Sequence, residues 1–550
     1  MDQKKILISA AILYFFTFAW IFLLTHGLPI GDVDDWVCIQ ISENLSWKES
    51  VQNLIRPWSK SQFWSNQVDL IDQIAFKRTV HGILLKSASV LFSTRSLAFF
   101  ILKGLFFSGT VAFLFLILIQ ITRSIWFSLA GVLFFVLVPV HYAHILWASD
   151  PATVLHFFII LSVWIFYHVG LNLERRESLR KFLPVFLAFS LTGWLCMKTK
   201  EPGLILPLTL GAFVLFHLNS WKSQKLKLVL LFLMLALLSF QIVPIEHLTA
   251  GRQVLRFNFD HLLRMTLRNY GVGYDDEAQT AFLSWEQVWP VSIARTLGFF
   301  TLWLLILFIV LYWTQRPGPK NTDQDQTRFL SHPLVQISAL WAGIEILLMG
   351  LFYPEPRFFS STMIPITILS VRLIWCVSGQ FQKPWKSVLL IAAVASWSWT
   401  TLYTNAQHVI WLRQQIGQRV NRYTEAARIV YRDVFPNRSP NLKEIGYFYC
   451  PAHFFKMLTH PRFEDVVFHT DLPFESWNKT KTGTVQEFEQ YAKSGAVYQV
   501  TYSKDAFAGN PKISILSVVS GVNNESFFEH VLYRLKRKAP HPLYIFKYRG

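Results

Sequence analysis

Cysteine is scarce in this chain: Cys38, Cys196, Cys376 and Cys450 are the only four in 550 residues. No two form a C-x-x-C pair, so the sequence offers neither a zinc-finger spacing nor a dithiol redox motif. A Cys38–Cys450 disulfide stays open, provided both residues face an oxidising compartment. Charge is scarce too. Only 16% of residues are Asp, Glu, Lys or Arg, against about 25% in a soluble domain. Acids are the rarer sign, 34 against 52 bases, which leaves a formal charge of +18. There is no internal repeat and no low-complexity segment. The apolar run 6–24 lacks the small-residue cleavage site of a secretory signal. These absences exclude an ordinary soluble enzyme, a disulfide scaffold and a disordered chain.

What is present is apolar mass. Hydrophobic residues make up 52% of the chain, with 49 Phe and 21 Trp, the composition of a polytopic membrane protein with some soluble mass attached. Runs long enough to cross a bilayer lie at 6–24, 97–121, 125–143, 153–170, 182–197, 203–219, 226–243, 291–313, 334–352, 358–378 and 387–404. The run 81–93 is short and broken by Lys86, so it reads as a re-entrant or interfacial piece. The fold class expected is therefore an α-helical polytopic membrane protein of about eleven spans with a small C-terminal α/β domain.

Loop charge sets the expected orientation. With the N-terminus in the cytoplasm, the inner connections carry Arg123; Arg175, Arg176, Arg180 and Lys181; Lys222, Lys225 and Lys227; Arg316, Lys320 and Arg328; and Lys383 and Lys386. Every inner loop then holds a base, as the positive-inside rule requires. The basic balance is read this way rather than as a nucleic-acid surface, because no basic run is interleaved with exposed aromatics. Long loops 25–80 and 244–290 face outward. So does the tail, which divides the chain into a membrane domain, 1–404, and an outer domain, 405–550. Residues 405–432 pattern as an amphipathic helix bearing Arg413, Arg419, Arg422 and Arg428. Strand-like runs Ile445–Tyr449, Val466–His469 and Ala496–Tyr502 follow, separated by the helical stretches Val485–Lys493 and Phe527–Leu535, an α/β pattern. The tail shows no glycine-rich phosphate loop and no nucleophile elbow.

Three motifs carry chemistry. The first outer loop opens with Gly31-Asp32-Val33-Asp34-Asp35-Trp36. Carboxylates beside a bilayer are costly unless used or well hydrated. They suit a general base, with neighbouring charges raising one pKa, or a metal ligand; a solvated helix cap is the alternative. The second motif, Lys198-Thr199-Lys200-Glu201-Pro202-Gly203, puts two lysines on the side where the charge rule does not expect them. Lysine can hold a phosphate oxygen as a compact point charge; headgroup snorkelling is the alternative. The third, Tyr353-Pro354-Glu355-Pro356-Arg357-Phe358, offers an Arg fork for phosphate that Glu355 orients, or a plain helix-end ion pair. His141, His144 and Asp150 cluster at the outer end of the third run and are read as interfacial. Arg252, Arg256, Arg264 and Arg268 are read as a solvated amphipathic face. One acidic and two basic corners on one side suit sugar transfer from a lipid phosphate. The acid deprotonates an acceptor hydroxyl and the bases stabilise the leaving phosphate.

In this order and sidedness the chain resembles the GT-C class of polytopic glycosyltransferases, in particular the protein O-mannosyltransferase and aminoarabinose-transferase branch. The resemblance rests on Asp34-Asp35-Trp36, on Lys200-Glu201-Pro202-Gly203 with Pro207, and on Glu355-Pro356-Arg357-Phe358 with Pro365. It spans residues from about 6 to 378. The Trp-Trp-Asp signature of the oligosaccharyltransferase branch is missing. The resemblance implies a polyprenyl-phosphate sugar donor, Asp34 as base with Asp32 and Asp35 as rival carboxylates, and inverting transfer to a hydroxyl acceptor. Lys200 and Arg357 would contact phosphate, with Lys198, Glu201 and Glu355 lining the same site. No cofactor is required, although a divalent metal fits the Asp34/Asp35 pair. Partners are the lipid donor, the bilayer and the acceptor, and not nucleic acid. A bacterial inner membrane is the expected location. Two other classes remain: a transporter or flippase, for which Lys103, Glu345 and Arg372 are the mid-span ionisable candidates, and a non-catalytic assembly subunit.

Overall fold

The structure, a computed structural model, describes residues 3–26, 38–39, 42–43, 45–55, 78–92, 96–147, 150–239, 329–351 and 360–378, and in the tail 426, 429, 433, 445–449, 496–501, 504–505, 510–519 and 543–548. In chain order the described helices are α1 (Gln3–Thr25), α2 (Trp47–Ile55), α3 (Thr79–Phe92), α4 (Ser96–Thr122), α5 (Ile125–Val136), α6 (Pro139–Leu146), α7 (Ala152–Glu174), α8 (Leu179–Met197), α9 (Ile205–Trp221), α10 (Lys225–Ser239), α11 (Pro333–Leu351) and α12 (Met363–Ser378). Among the described residues, five helical stretches are long and apolar enough to cross a membrane: Gln3–Thr25, Leu97–Thr122, Ala152–Glu174, Leu179–Met197 and Pro202–Trp221. The protein is a multi-pass membrane protein, mostly helical, with a small C-terminal sheet. The expected runs 291–313 and 387–404 lie outside the described residues.

Helix α4 is the centre of the bundle. It packs on α1, α5, α7 and α12, and its Phe107, Val111, Leu114, Phe115 and Leu118 are fully buried. Its Gly104 lets Phe18 of α1 lie 3.1 Å from where a Cβ would stand. On the far side of α1, Phe15 and Phe16 are 68% and 72% exposed. So much exposed aromatic surface is tolerable in lipid rather than in water.

One sequence expectation is corrected here. The run 125–143 is not one helix. It breaks after Val136 and restarts at Pro139 as α6, because proline has no N–H to continue the ladder and biases the preceding residue, Val138, to an extended conformation. Cys38, Cys196 and Cys376 are buried, and Cys450, the other half of the disulfide left open above, lies outside the described residues. The piece expected to be interfacial is helix α3. The Val80 amide at its start donates to the Lys198 carbonyl at 3.1 Å, and its end leads directly into α4. Both its ends therefore lie at one end of the bundle. Its Lys86 donates to the carbonyls of Glu43 and Leu45, and its Ser89 bonds the Glu43 carboxylate.

The opposite end collects the exposed bases. Arg123 and Arg176 take left-handed backbone conformations, φ 52° and 53°, just past the ends of α4 and α7. There they terminate the helices and set positive charge against the dipole's negative end. The same end is tied internally by Arg372 of α12, which is 3% exposed. It donates to Ile121 O at the end of α4 at 3.0 Å, to Ser331 Oγ at 3.0 Å and to Phe329 O at 3.3 Å.

In the tail, β1 (Ile445–Tyr449), β2 (Ala496–Thr501), β3 (Ile513–Val519) and β4 (Leu543–Tyr548) form one sheet of order β1-β2-β4-β3. The pair β1/β2 is parallel, with β2/β4 and β3/β4 antiparallel. The β1 and β2 runs were expected from sequence; β3 and β4 were not. Ala426, Ile429 and Asp433 are helical. Asp433 Oδ2 accepts from Tyr498 Oη at 2.5 Å and from Lys547 Nζ at 2.7 Å, which ties Asp433 to the sheet. Burial, then the bond to Asp433, push the Tyr498 phenol above its ordinary pKa. The stretches 466–469, 485–493 and 527–535 lie outside the described residues.

Replacing Arg372 with Met leaves three oxygens without their donor. A loss of about 3 kcal/mol is expected, read as a lowered Tm of the purified protein in nanodiscs; an unchanged Tm would show that the tie is dispensable.

Candidate functional site

At the end of the bundle away from the exposed bases, four segments converge on one carboxylate. Helix α8 stops at Met197, and Lys198, Thr199 and an extended Lys200 (φ −163°) lead into a 3₁₀ turn, Glu201–Leu204. Pro202 makes the break. It cannot donate to an α-helical ladder, and it disfavours helix at the residue before it. Gly203 has a separate reason: a Cβ there would stand 2.7 Å from the Cys196 carbonyl oxygen. Only a residue without a side chain lets the turn fold back so closely on the end of α8.

This turn presents Lys200 to Asp150, with Nζ 3.3 Å from Oδ1. Asp150 precedes Pro151 and α7, and its Oδ1 also accepts the Ala152 amide at 2.8 Å, as a side-chain cap does. Its Oδ2 accepts Nδ1–H of His144 at 2.7 Å. From α4, Lys103 donates to the Asp150 main-chain carbonyl. His144 is 1% exposed, Lys103 2%, Asp150 7% and Lys200 6%. Burial alone would raise the Asp150 pKa, but the charges of Lys200 and His144 outweigh it and hold the carboxyl well below its ordinary range. Lys198 is fully buried, with Nζ 5.7 Å from the centre of the Trp194 ring. Burial pulls its pKa down to about 8.

A second layer surrounds this centre. His141 and His156 lie with ring centres 6.0 Å apart, and His144 and His156 6.1 Å apart. His156 Nε2 meets Ser360 Oγ at 3.0 Å. Among the described residues, nothing bonds either ring nitrogen of His141, Nδ1 of His156 or Oγ1 of Thr153. Buried polar atoms of this kind are ordinarily satisfied by water or a ligand. Beyond Ser360, Glu345 of α11 accepts from Trp341 Nε1 at 2.7 Å and from Ser361 Oγ. Over the same end, Trp194 Nε1 donates to Leu54 O of α2 at 2.9 Å. No group of His, Cys, Asp and Glu side chains among the described residues is arranged to hold a metal ion.

Of the residues expected from sequence, Lys198 and Lys200 come together here, and the Glu201 backbone opens the turn. Asp32, Asp34, Asp35, Glu355 and Arg357 lie outside the described residues, as do Arg252, Arg256, Arg264 and Arg268. His141, His144 and Asp150 are not interfacial but deeply buried, because α6 folds them inward against Phe107 and Phe135, with ring centres 5.5 and 4.2 Å from His141. His156, Ser360 and Ser361 were missed. An ionisable side chain in the first turns of an apolar run is the signal that marks His156.

No family model and no curated protein matches the chain. Among solved structures it is similar to ArnT from Cupriavidus metallidurans. The undecaprenyl-phosphate-bound form matches with a TM-score of 0.47 at 10% identity, covering 99% of this chain and 98% of that one. The apo form matches with a TM-score of 0.48 at 10% identity, covering 98% and 97%.

Lys200→Met strands a buried carboxylate and is expected to cost roughly 3–5 kcal/mol. Adding Asp150→Asn removes the stranded charge and should recover most of that loss in thermal unfolding. If the double variant is no more stable than Lys200→Met, the pair is not the joint described. Gly203→Ala should destabilise by about 1–3 kcal/mol, against the gain of about 1 kcal/mol that alanine brings in an open helix.

Proposed function

We propose that this protein is an integral-membrane glycosyltransferase. It moves a sugar, with inversion, from a polyprenyl-phosphate-linked donor to a hydroxyl acceptor, at the membrane face opposite its basic loops. The observation that carries the reading is the burial of Lys198 and Lys200, with Lys103 beside them, at the end of the bundle away from the exposed bases. Buried ammonium groups are costly. Cations gathered where the positive-inside rule does not call for them fit a site for a phosphate.

In this reading Lys200 and Arg357 hold the donor phosphate, and Lys198, Glu201 and Glu355 line the site. Asp34, with Asp32 and Asp35 beside it, takes the proton of the acceptor hydroxyl. A divalent ion at Asp34 and Asp35 remains compatible with their chemistry. The bases at the other end, Arg123, Arg175, Arg176, Arg180, Lys181, Lys222 and Lys225, support a cytoplasmic N-terminus and an outward-facing site in a bacterial inner membrane. The transporter reading has less support. Arg372 ties helix ends together, and Lys103 donates to a main-chain carbonyl.

The test uses purified full-length protein in nanodiscs, titrated with polyprenyl phosphate and with a polyprenyl-phosphate sugar. Wild type is expected to bind both. Arg357→Ala in the Lys200→Met/Asp150→Asn background should weaken binding by tenfold or more, and Asp34→Asn should bind while losing sugar release by about 100-fold or more. Wild type that binds neither lipid would overturn the assignment. Undiminished function in Asp34→Asn would point to an assembly subunit.

A further inference from the structure

Helix α2 is short but firmly placed. The Ser46 amide donates to Glu49 Oε2 at 2.7 Å and the Glu49 amide to Ser46 Oγ at 3.1 Å, the reciprocal bonds of a capping box. The helix packs on α3, with Lys86 Nζ 5.3 Å from the centre of the Trp47 ring. Its burial runs against its chemistry. The buried residues are Ser50 and Asn53, while Trp47, Val51 and Ile55 are exposed. At about 100° per residue, the side chains fall on three arcs roughly 120° apart. Ser50 and Asn53 face the protein. Trp47, Val51 and Ile55, at i, i+4 and i+8, make an apolar arc. The exposed Lys48, Glu49 and Gln52 make a polar one.

A helix on a protein surface in water needs two arcs, one for the core and one for solvent. A third, apolar arc needs an apolar neighbour. Single exposed apolar residues are ordinary, but this arc is not isolated: α3 ends in Val90, Leu91 and Phe92, all exposed. The level of α2 in the bundle identifies the neighbour. Leu54 O accepts Trp194 Nε1 at 2.9 Å, and Trp194 stands in the last turn of α8. The 19 residues of α8 rise about 28 Å, close to the hydrocarbon thickness of about 30 Å, so that last turn reaches the membrane surface. Helix α2 therefore sits at a lipid–water boundary. Tryptophan is favoured there, and a helix with an apolar and a polar arc lies flat in it.

We propose that α2 and the end of α3 form a membrane-docking surface whose partner is phospholipid of the leaflet at the Lys198/Lys200 end. Trp47, Val51 and Ile55 lie among its acyl chains, with Val90, Leu91 and Phe92 beside them. Lys48, Glu49 and Gln52 lie among its headgroups. Ser50 and Asn53 hold the helix to the protein. Through the Leu54–Trp194 bond, the depth of α2 in the leaflet is set by the same helix end that carries Lys198 and Lys200. The inference stands apart from the transferase reading, because it requires no substrate.

The test places photoreactive p-benzoylphenylalanine at Val51 or Ile55, on the apolar arc, or at Gln52, on the polar arc. The full-length protein is reconstituted in vesicles of phosphatidylethanolamine and phosphatidylglycerol, irradiated, and its adducts identified by mass spectrometry. All three positions are exposed, so the substitution displaces no core atom. Val51 and Ile55 are expected to give acyl-chain adducts in a yield roughly fivefold or more above that at Gln52. Equal yields on the two arcs, or no lipid adduct at Val51 and Ile55, overturn the proposal. Adducts from Val51 and Ile55 to another segment of this chain, such as 405–550, overturn it too, since the arc is then covered from within. Adducts to a second copy overturn it in favour of self-association. Leu91, 72% exposed at the end of α3, repeats the comparison with Gln52, so a single variant that fails to fold leaves the proposal open to refutation.

Discussion

The buried Asp150 carboxylate is the joint on which this end of the protein depends. A charge sealed from water is tolerated only when its lone pairs are filled and its sign is answered. Meeting that demand fixes the start of α7, the orientation of the His144 ring on α6 and the reach of Lys200 from the end of α8. Lys103 adds α4 through the neighbouring carbonyl. Segments far apart in sequence are thereby held to one point by a polar constraint.

The two ends of the bundle handle positive charge in opposite ways. At one end most bases sit on turns, where solvent and helix dipoles carry them, while Arg372 and Lys227 are buried and bonded internally. Lys181, 68% exposed, forms only a surface pair with Glu177 at 2.9 Å, a contact of little energetic weight. At the other end Lys103, Lys198 and Lys200 are buried. Burial at the end where the charge rule does not expect a base, rather than the count of bases, is what marks a candidate binding site.

Much of the helical architecture was legible because apolar runs are long and their ends are marked by charge or proline. The turn after α8 was legible for the same reason: Pro202 and Gly203 punctuate it. The break at Pro139 was readable in principle and was overridden by the strength of the surrounding apolar run. Lys198 and Lys200 stood out because they were on the unexpected side. Asp150 and His144 did not, since two histidines and an aspartate near a span end look the same whether they face water or the core. Only the inward fold of α6 decides between those. The strands Ile513–Val519 and Leu543–Tyr548 were obscured because their faces alternate irregularly, with a register shift between Ile515 and Ser517.

The shortness of α5 has a further consequence for depth. Its 12 residues rise about 18 Å, against a hydrocarbon thickness of about 30 Å. If Arg123 marks one surface, the chain turns into α6 while still roughly 12 Å short of the other. His141 and His144 then lie sunk within the bilayer's own thickness. A lipid-linked headgroup rests at the interface, outside the hydrocarbon, so under the transferase reading proposed above it would have to sink below that surface to reach this depth.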